Sequence, residues 1–262
     1  MTVDIYQIDA FTTKLFGGNP AAVCPLEEWI PNETLLNIAK ENNLAETAYF
    51  VHKGDNVFHL RWFTPEIEMD LCGHATLASA YVIFHCLNYN LESIVFETLS
   101  GELLVTLEGS QIEMNFPSRP PKTSNLPQTI SDALSIQPKE IFKARDYLLL
   151  FESENDIVKL KVNSSVLNKI NIDPGGIIVT SKGEHVDFVS RFFTPGAAVF
   201  EDPVTGSAHC TLVPFWSEKL NKSKLHARQI SERSGELFCE LKNNRVFIKG
   251  SAVKYLQGII EV

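Results

Sequence analysis

The sequence predicts an α+β protein of two related halves, each a set of short strands wrapped around a mostly apolar helix. Three observations predict it. Strand-like runs outnumber helical ones along the 262 residues. One helical segment, residues 73–87, is apolar almost all round. A block beginning Arg61-Trp62-Phe63-Thr64-Pro65 recurs as Arg191-Phe192-Phe193-Thr194-Pro195. The length suits two domains of about 130 residues. They are expected as an N-terminal half, 1–118, and a C-terminal half, 119–262, with the option for the last strand to pack back on the first half.

In chain order, residues 3–10, 57–63, 94–98, 103–107 and 112–116 read as strands, being short, β-branched or alternating and bounded by turn residues. Gly109-Ser110 suits a hairpin turn between the last two. The second half repeats the style at 147–151, 157–162, 176–180, 186–193, 237–241 and 246–248, with Asn243-Asn244 at the final hairpin turn. Helices are expected at 33–41, 73–87 and 207–220. Pro214 lacks an N–H and is expected to kink the last of these or shift its ends. Residues 119–128, rich in Pro, Ser and Lys, read as the linker. Helix 73–87 has no polar face, so burial on every side, by surrounding strands, is the simplest way to place it.

The repeat extends past the Thr-Pro turns. Asp70-Leu71-Cys72-Gly73-His74-Ala75-Thr76 follows the first, and Asp202-Pro203-Val204-Thr205-Gly206-Ser207-Ala208 the second. Each copy reads strand, turn, acidic loop, glycine, helix start, as expected of duplicated halves facing each other across a pseudo-two-fold axis. A helix N-terminus offers unpaired N–H groups and a partial positive charge, and a glycine there lets a ligand approach the backbone. Two such starts facing one cleft would grip a carboxylate without Lys or Arg. Charge developing on a neighbouring carbon would then be stabilised by fixed dipoles.

Composition narrows the alternatives. The formal net charge is −9 and basic residues do not cluster, which argues against nucleic-acid binding. The start MTVDIYQIDAF does not read as a signal peptide, and the longest apolar stretch is too short for a bilayer. Five scattered cysteines, Cys24, Cys72, Cys86, Cys210 and Cys239, suit reduced thiols in a cytoplasmic protein better than disulfides or a zinc site. No dinucleotide fingerprint or metal cluster is visible, so catalysis without a cofactor is expected.

The chemistry-bearing residues each admit two readings. Glu46 stands alone in an apolar segment, as a surface acid or as a proton shuttle withdrawn from water. His74 is a capping or core histidine, or a site residue. Asp202 makes an Asx turn before Pro203, or contacts substrate. Ser207 is a first-turn helix residue or a ligand contact. Cys72 is a reactive thiol at a helix start or inert packing.

Taken together, Asp9-Ala10-Phe11, Gly18-Asn19-Pro20-Ala21-Ala22-Val23, Asn43-Leu44-Ala45-Glu46-Thr47-Ala48, Arg61 to Pro65, Cys72 to Thr76 and Glu201 to Ala208 resemble the PhzF family of phenazine biosynthesis in order and spacing. The resemblance spans essentially the whole chain. It implies the diaminopimelate epimerase-like fold: two pseudo-symmetric half-domains, each a curled β-sheet around a central helix, with the site between them. It also implies an isomerase without cofactor or metal, resembling the enzyme that moves a proton within trans-2,3-dihydro-3-hydroxyanthranilate. Glu46 would be the acid/base, and His74, Asp202 and Ser207 would position substrate or relay protons. Gly73 and Gly206 would make backbone contacts to a small anionic substrate, with Asn19 and Cys72 beside them, in a homodimer.

Related epimerases and racemases place one cysteine at each helix start. Here Cys72 fills the first place and Thr205 the second, and a threonine hydroxyl is too weak an acid to serve as a base near neutral pH. A one-carboxylate shuttle is therefore favoured over two-thiol stereoinversion. A Cys72-dependent epimerase and a non-catalytic binding dimer stand as alternatives.

Overall fold

Most of the short alternating runs fold as strands. The computed structural model describes every residue except Asn88, Asp173 and Pro174. In chain order the elements are β1 (Thr2–Ala10), β2 (Asn19–Leu26), α1 (Asn32–Asn42), β3 (Glu46–Gly54), β4 (Val57–Phe63), β5 (Glu68–Met69), α2 (Gly73–His85), β6 (Ser93–Thr98), β7 (Gly101–Glu108) and β8 (Gln111–Pro117). There follow β9 (Lys122–Thr123), α3 (Gln128–Ala133), β10 (Glu140–Lys143), β11 (Tyr147–Leu150), α4 (Glu154–Lys159), α5 (Ser164–Leu167), β12 (Ile177–Lys182) and β13 (Phe188–Phe193). Last come β14 (Glu201–Asp202), α6 (Gly206–Leu220), β15 (Lys224–Gln229), β16 (Gly235–Lys242), β17 (Arg245–Gly250) and β18 (Ala252–Glu261). The chain divides into two compact units, Met1–Phe116 with Ile248–Val262, and Pro117–Phe247. Among the described residues no helix is long and apolar enough to cross a membrane.

In the first unit β1 pairs antiparallel with both β18 and β2. β2 runs parallel to β3, and β3 antiparallel to β4. β4 pairs antiparallel with β5 and parallel with β6, which continues antiparallel into β7 and β8. Successive side chains of a strand face opposite sides. Ala22, Cys24, Tyr49 and Phe63 accordingly pack on Leu35, Ile38 and Ala39 of α1. The other side of the sheet takes α2, which lies against β1, β2, β3 and β18. Burial of α2 is unbroken from Gly73 to Ala80, as a helix without a polar face requires.

The second unit repeats these pairings. β9, β10 and β11 are antiparallel, β11 is parallel to β12, and β12 is antiparallel to β13. β13 pairs antiparallel with β14 and parallel with β15, which turns back into β16. One face of the sheet (Leu149, Ile177, Val179, Val189, Phe193) packs on Ile130, Ile157 and Leu167 of the short helices. The other face takes α6, where Trp216 stacks on Phe188 and donates from Nε1 to Thr180 Oγ1 at 3.0 Å.

Several expectations need correction. Residues 157–162 are not a strand. Ser153 caps α4 there, its Oγ accepting from Asp156 N while Asp156 Oδ2 accepts from Ser153 N, a reciprocal cap that starts a helix. Pro214 does not shift the ends of α6, which runs from Gly206 to Leu220. The carbonyl left without its helical donor, on Cys210, accepts from Arg119 N at 2.8 Å instead. That bond also orders part of the expected linker, 119–128, in which Lys122–Thr123 pairs with β10 and Gln128 opens α3. Strands β2, β3, β10, β15 and β18, and the two-residue β5, β9 and β14, were not anticipated. The turn at Gly109-Ser110 joins β7 to β8 as expected, with Gly109 at φ 64°.

Candidate functional site

The repeat is built around a brace. Arg61 Nε and Nη2 donate to the two oxygens of Glu68, each at 2.7 Å, and the guanidinium lies over Trp29 and Phe63. Arg191 grips Glu201 the same way at 2.7 and 2.8 Å and lies over Phe193. Such two-point pairs fix geometry as well as charge. Each brace holds a short return strand, β5 or β14, against the strand before it, and each return strand leads into a helix. The pairing of each arginine with its glutamate escaped notice because the glutamates lie seven and ten residues after their arginines, an unequal spacing that hides the match. At both helix starts the residue before the glycine, Cys72 or Thr205, is extended and makes no side-chain cap. First-turn N–H groups there have no helical partner.

In the first unit the sheet and α2 bring Glu46, Cys72 and His74 together. Glu46 opens β3, and alternation places it on the side opposite Tyr49, the side that carries α2. His74, in the first turn of α2, presents Nε2 at 3.2 Å from Glu46 Oε2, an ion-pair distance off the alignment of a full hydrogen bond. Glu46 keeps 15% and His74 5% side-chain exposure, so the pair is withdrawn from water yet reachable at the carboxylate. On the ring's other side, Asn19 Nδ2 lies 3.1 Å and Cys72 Sγ 3.5 Å from Nδ1. With the Asn19 amide donating to Nδ1, the neutral ring carries its proton on Nε2, facing Glu46.

Electrostatics follow from this sandwich. Burial disfavours the imidazolium, but Cys72 and Glu46 on either side outweigh it and raise the His74 pKa well above its ordinary value. Burial and the Glu46 carboxylate push the Cys72 thiol up, with His74 pulling the other way. The ligand atoms of Glu46, Cys72 and His74 lie within 4.8 Å of one another, close enough to consider a metal ion. Yet the imidazole meets Glu46 with one nitrogen and Cys72 with the other, and a single ion can use only one of them. The arrangement suits a proton relay better than a chelate.

In the second unit Asp202, at the end of β14, accepts at Oδ2 from Thr205 Oγ1 at 2.5 Å. Gln229 of β15, fully buried, braces this pair. Its Oε1 accepts from Thr205 N at 2.9 Å, and Nε2 donates to Asp202 O at 2.7 Å and to Thr205 Oγ1 at 3.1 Å. Ser207 is half-buried in the first turn of α6, beside buried Gly206. One helical turn on, His209 donates from Nδ1 to Thr205 O at 2.8 Å, and burial pulls its pKa down to about 4. Of the residues singled out from sequence, Asn19, Glu46, Cys72, Gly73 and His74 thus converge in the first unit, and Asp202, Gly206 and Ser207 in the second. Gln229 was missed, and the run Ala227-Arg228-Gln229-Ile230 carries no signal that could have found it.

A family model described as phenazine biosynthesis-like protein, PhzC-PhzF, matches residues 8–258. A Pseudomonas aeruginosa protein named as an uncharacterized isomerase is 44% identical over 262 residues, covering 100% of both chains. The crystal structure of a PhzF-family phenazine biosynthesis protein from Enterococcus faecalis superposes with a TM-score of 0.95 at 42% identity, also covering 100% of both chains. A hydroxyproline epimerase from Agrobacterium vitis is similar at a TM-score of 0.60 over 99% of this chain and 92% of that one. At 8% identity that likeness is one of fold alone, and it places the two-unit α+β architecture in the epimerase-like class. The relatives' names support an isomerase-type function in general. The chain belongs to the PhzC-PhzF, phenazine biosynthesis-like, family.

Proposed function

We propose that the protein is a cofactor-independent isomerase that moves a proton within a small carboxylated substrate, with Glu46 as the shuttle. The observation that carries this is the Glu46 carboxylate set against the Nε2 face of a buried His74, beside the uncapped start of α2. The carboxylate takes a proton from one carbon of the substrate, and the C–H electron pair enters the neighbouring π system as the double bond moves. Protonated Glu46 then returns the proton to a second carbon. Atoms and charge balance and no oxidation state changes, so the step calls for no redox partner. First-turn N–H groups would hold the substrate carboxylate and stabilise the charge that develops beside it. His74 would hold the Glu46 carboxylate in place between turnovers, and Asp202 and Ser207 would position substrate. The reaction class is that of dihydro-hydroxyanthranilate isomerisation, as in phenazine biosynthesis.

The rival, a Cys72-dependent epimerase, is less well supported because the thiol is pushed up by burial and held against His74. The test is incubation with pools of small unsaturated carboxylic acids in deuterium oxide, read by mass spectrometry. Glu46→Gln is expected to lower deuterium incorporation by about 10²–10⁴-fold, the usual worth of a general base, while Cys72→Ala retains it. Full incorporation by Glu46→Gln would overturn the assignment, and loss in Cys72→Ala would favour the epimerase.

A further inference from the structure

We infer that Thr205 and Gln229 are positioning residues, which together aim a hydrogen bond at Asp202 and fix its carboxylate in place. Gln229 has no freedom in how its amide lies. Its oxygen faces Thr205 N–H, which can only donate, and its nitrogen faces the Asp202 carbonyl, which can only accept. Turning the amide over would set oxygen against oxygen and N–H against N–H, so two backbone groups determine its orientation. The second N–H of Gln229 then donates into Thr205 Oγ1 at 3.1 Å. With that lone pair taken, the hydroxyl proton points away from Gln229, and Asp202 Oδ2 receives it at 2.5 Å.

The chain of bonds runs one way, from a fully buried amide through a hydroxyl to a carboxylate, and each link polarises the next. A carboxylate that accepts such a bond is stabilised in its ionised form. The matching positions of the first unit are built differently. At the corresponding register step β6 offers Thr98, whose hydroxyl bonds locally to Gly101 O. The corresponding helix start carries Cys72, turned to His74. Thr205 is thus a donor whose direction is set by Gln229. Its bearing on turnover rests on the function proposed above, whereas its effect on Asp202 does not.

The experiment is a pH titration of the ¹³C-labelled Asp202 carboxyl by NMR, on the whole protein without substrate. Thr205→Val keeps the shape and removes the hydroxyl, and is expected to move the Asp202 midpoint up by about one pH unit. Thr205→Ser is expected to restore it. Gln229→Met, which leaves the hydroxyl undirected, is expected to move it upward by less. A purely structural Thr205 would be mimicked by Val, so an unmoved midpoint in a folded Thr205→Val protein would overturn the inference. So would a Thr205→Ser protein that titrates like Thr205→Val. If the midpoints move as expected while Glu46→Gln retains deuterium exchange, the positioning stands and the shuttle falls.

Discussion

The start of β3 and the start of β12 occupy matching steps of two similarly paired sheets, yet one carries a carboxylate and the other a glycine. Thr47 pairs with Phe63 and Ile177 with Phe193, so Glu46 and Gly176 correspond. At Gly176 a β-carbon would stand 2.3 Å from the ring tip of Phe192, and the backbone N–H is held by Asp146 Oδ1 at 2.8 Å. Where the first unit keeps room for an acid, the second has filled the space with an aromatic ring. Around this difference the frame is unchanged. Both units have the Arg–Glu brace, and in both a side chain one turn into the helix bonds the carbonyl before the glycine. Thr76 Oγ1 does so to Cys72 O, and His209 Nδ1 to Thr205 O. The two units share what holds the helix starts in place and differ in the groups around them.

The largest effect expected from breaking this comparison concerns His209. Thr76 makes its bond with a group that does not titrate, whereas His209 must remain neutral in the folded state. Its pKa falls from 6.5 to about 4 by burial, so between these values the unfolded chain binds a proton that the folded one does not. Stability contributed by the neutral ring is present above pH 6.5 and is lost as pH falls toward 4, by roughly 3 kcal/mol. Urea unfolding of His209→Asn, whose amide N–H can replace Nδ1–H, is expected to show a flatter decline over that window. An equal decline would place the acid sensitivity elsewhere.

A middle effect is expected at Gly176. Gly176→Ala forces the Phe192 ring aside and is expected to cost about 1–3 kcal/mol, the usual range for overpacking. Adding Phe192→Leu is expected to recover part of it, which thermal unfolding of the single and double variants would read.

The smallest effect compares the two braces. Arg191 also donates from Nη1 to Ile157 O and Leu160 O at the end of α4, while Arg61 adds only Asn32 Oδ1. Arg191→Met is expected to destabilise more than Arg61→Met, by about 1 kcal/mol for the carbonyls left without a donor. Equal losses in chemical denaturation would show that the α4 contacts contribute nothing.

Much of the frame was legible in the residues. The absence of a polar face on α2 foretold its burial, and the repeated aromatic-Thr-Pro blocks foretold the twin turns and helix starts. The misread places have local causes. Ile157 to Val162 looks like a strand because its β-branched residues outweigh a short cap, and only the Ser153–Asp156 pairing decides for helix. Pro214 reads as a cause of shifted helix ends until Arg119 supplies the Cys210 carbonyl with a donor from another part of the chain.

Glu46 marks the boundary between what the residues determine and what folding decides. Sequence alone picked it out as a lone acid in an apolar segment, and picked out His74 and Cys72 as neighbours of a glycine at a helix start. Nothing in their order along the chain brings them together. Strand alternation and the packing of α2 on β3 place His74 Nε2 at 3.2 Å from the carboxylate. The same holds for Gln229, whose role comes from a parallel strand pairing that sets it beside Asp202 and Thr205. Side-chain type and helical or strand period are local properties that a sequence carries openly. Which acid meets which ring depends on contacts between distant segments, and those exist only once the sheet has formed.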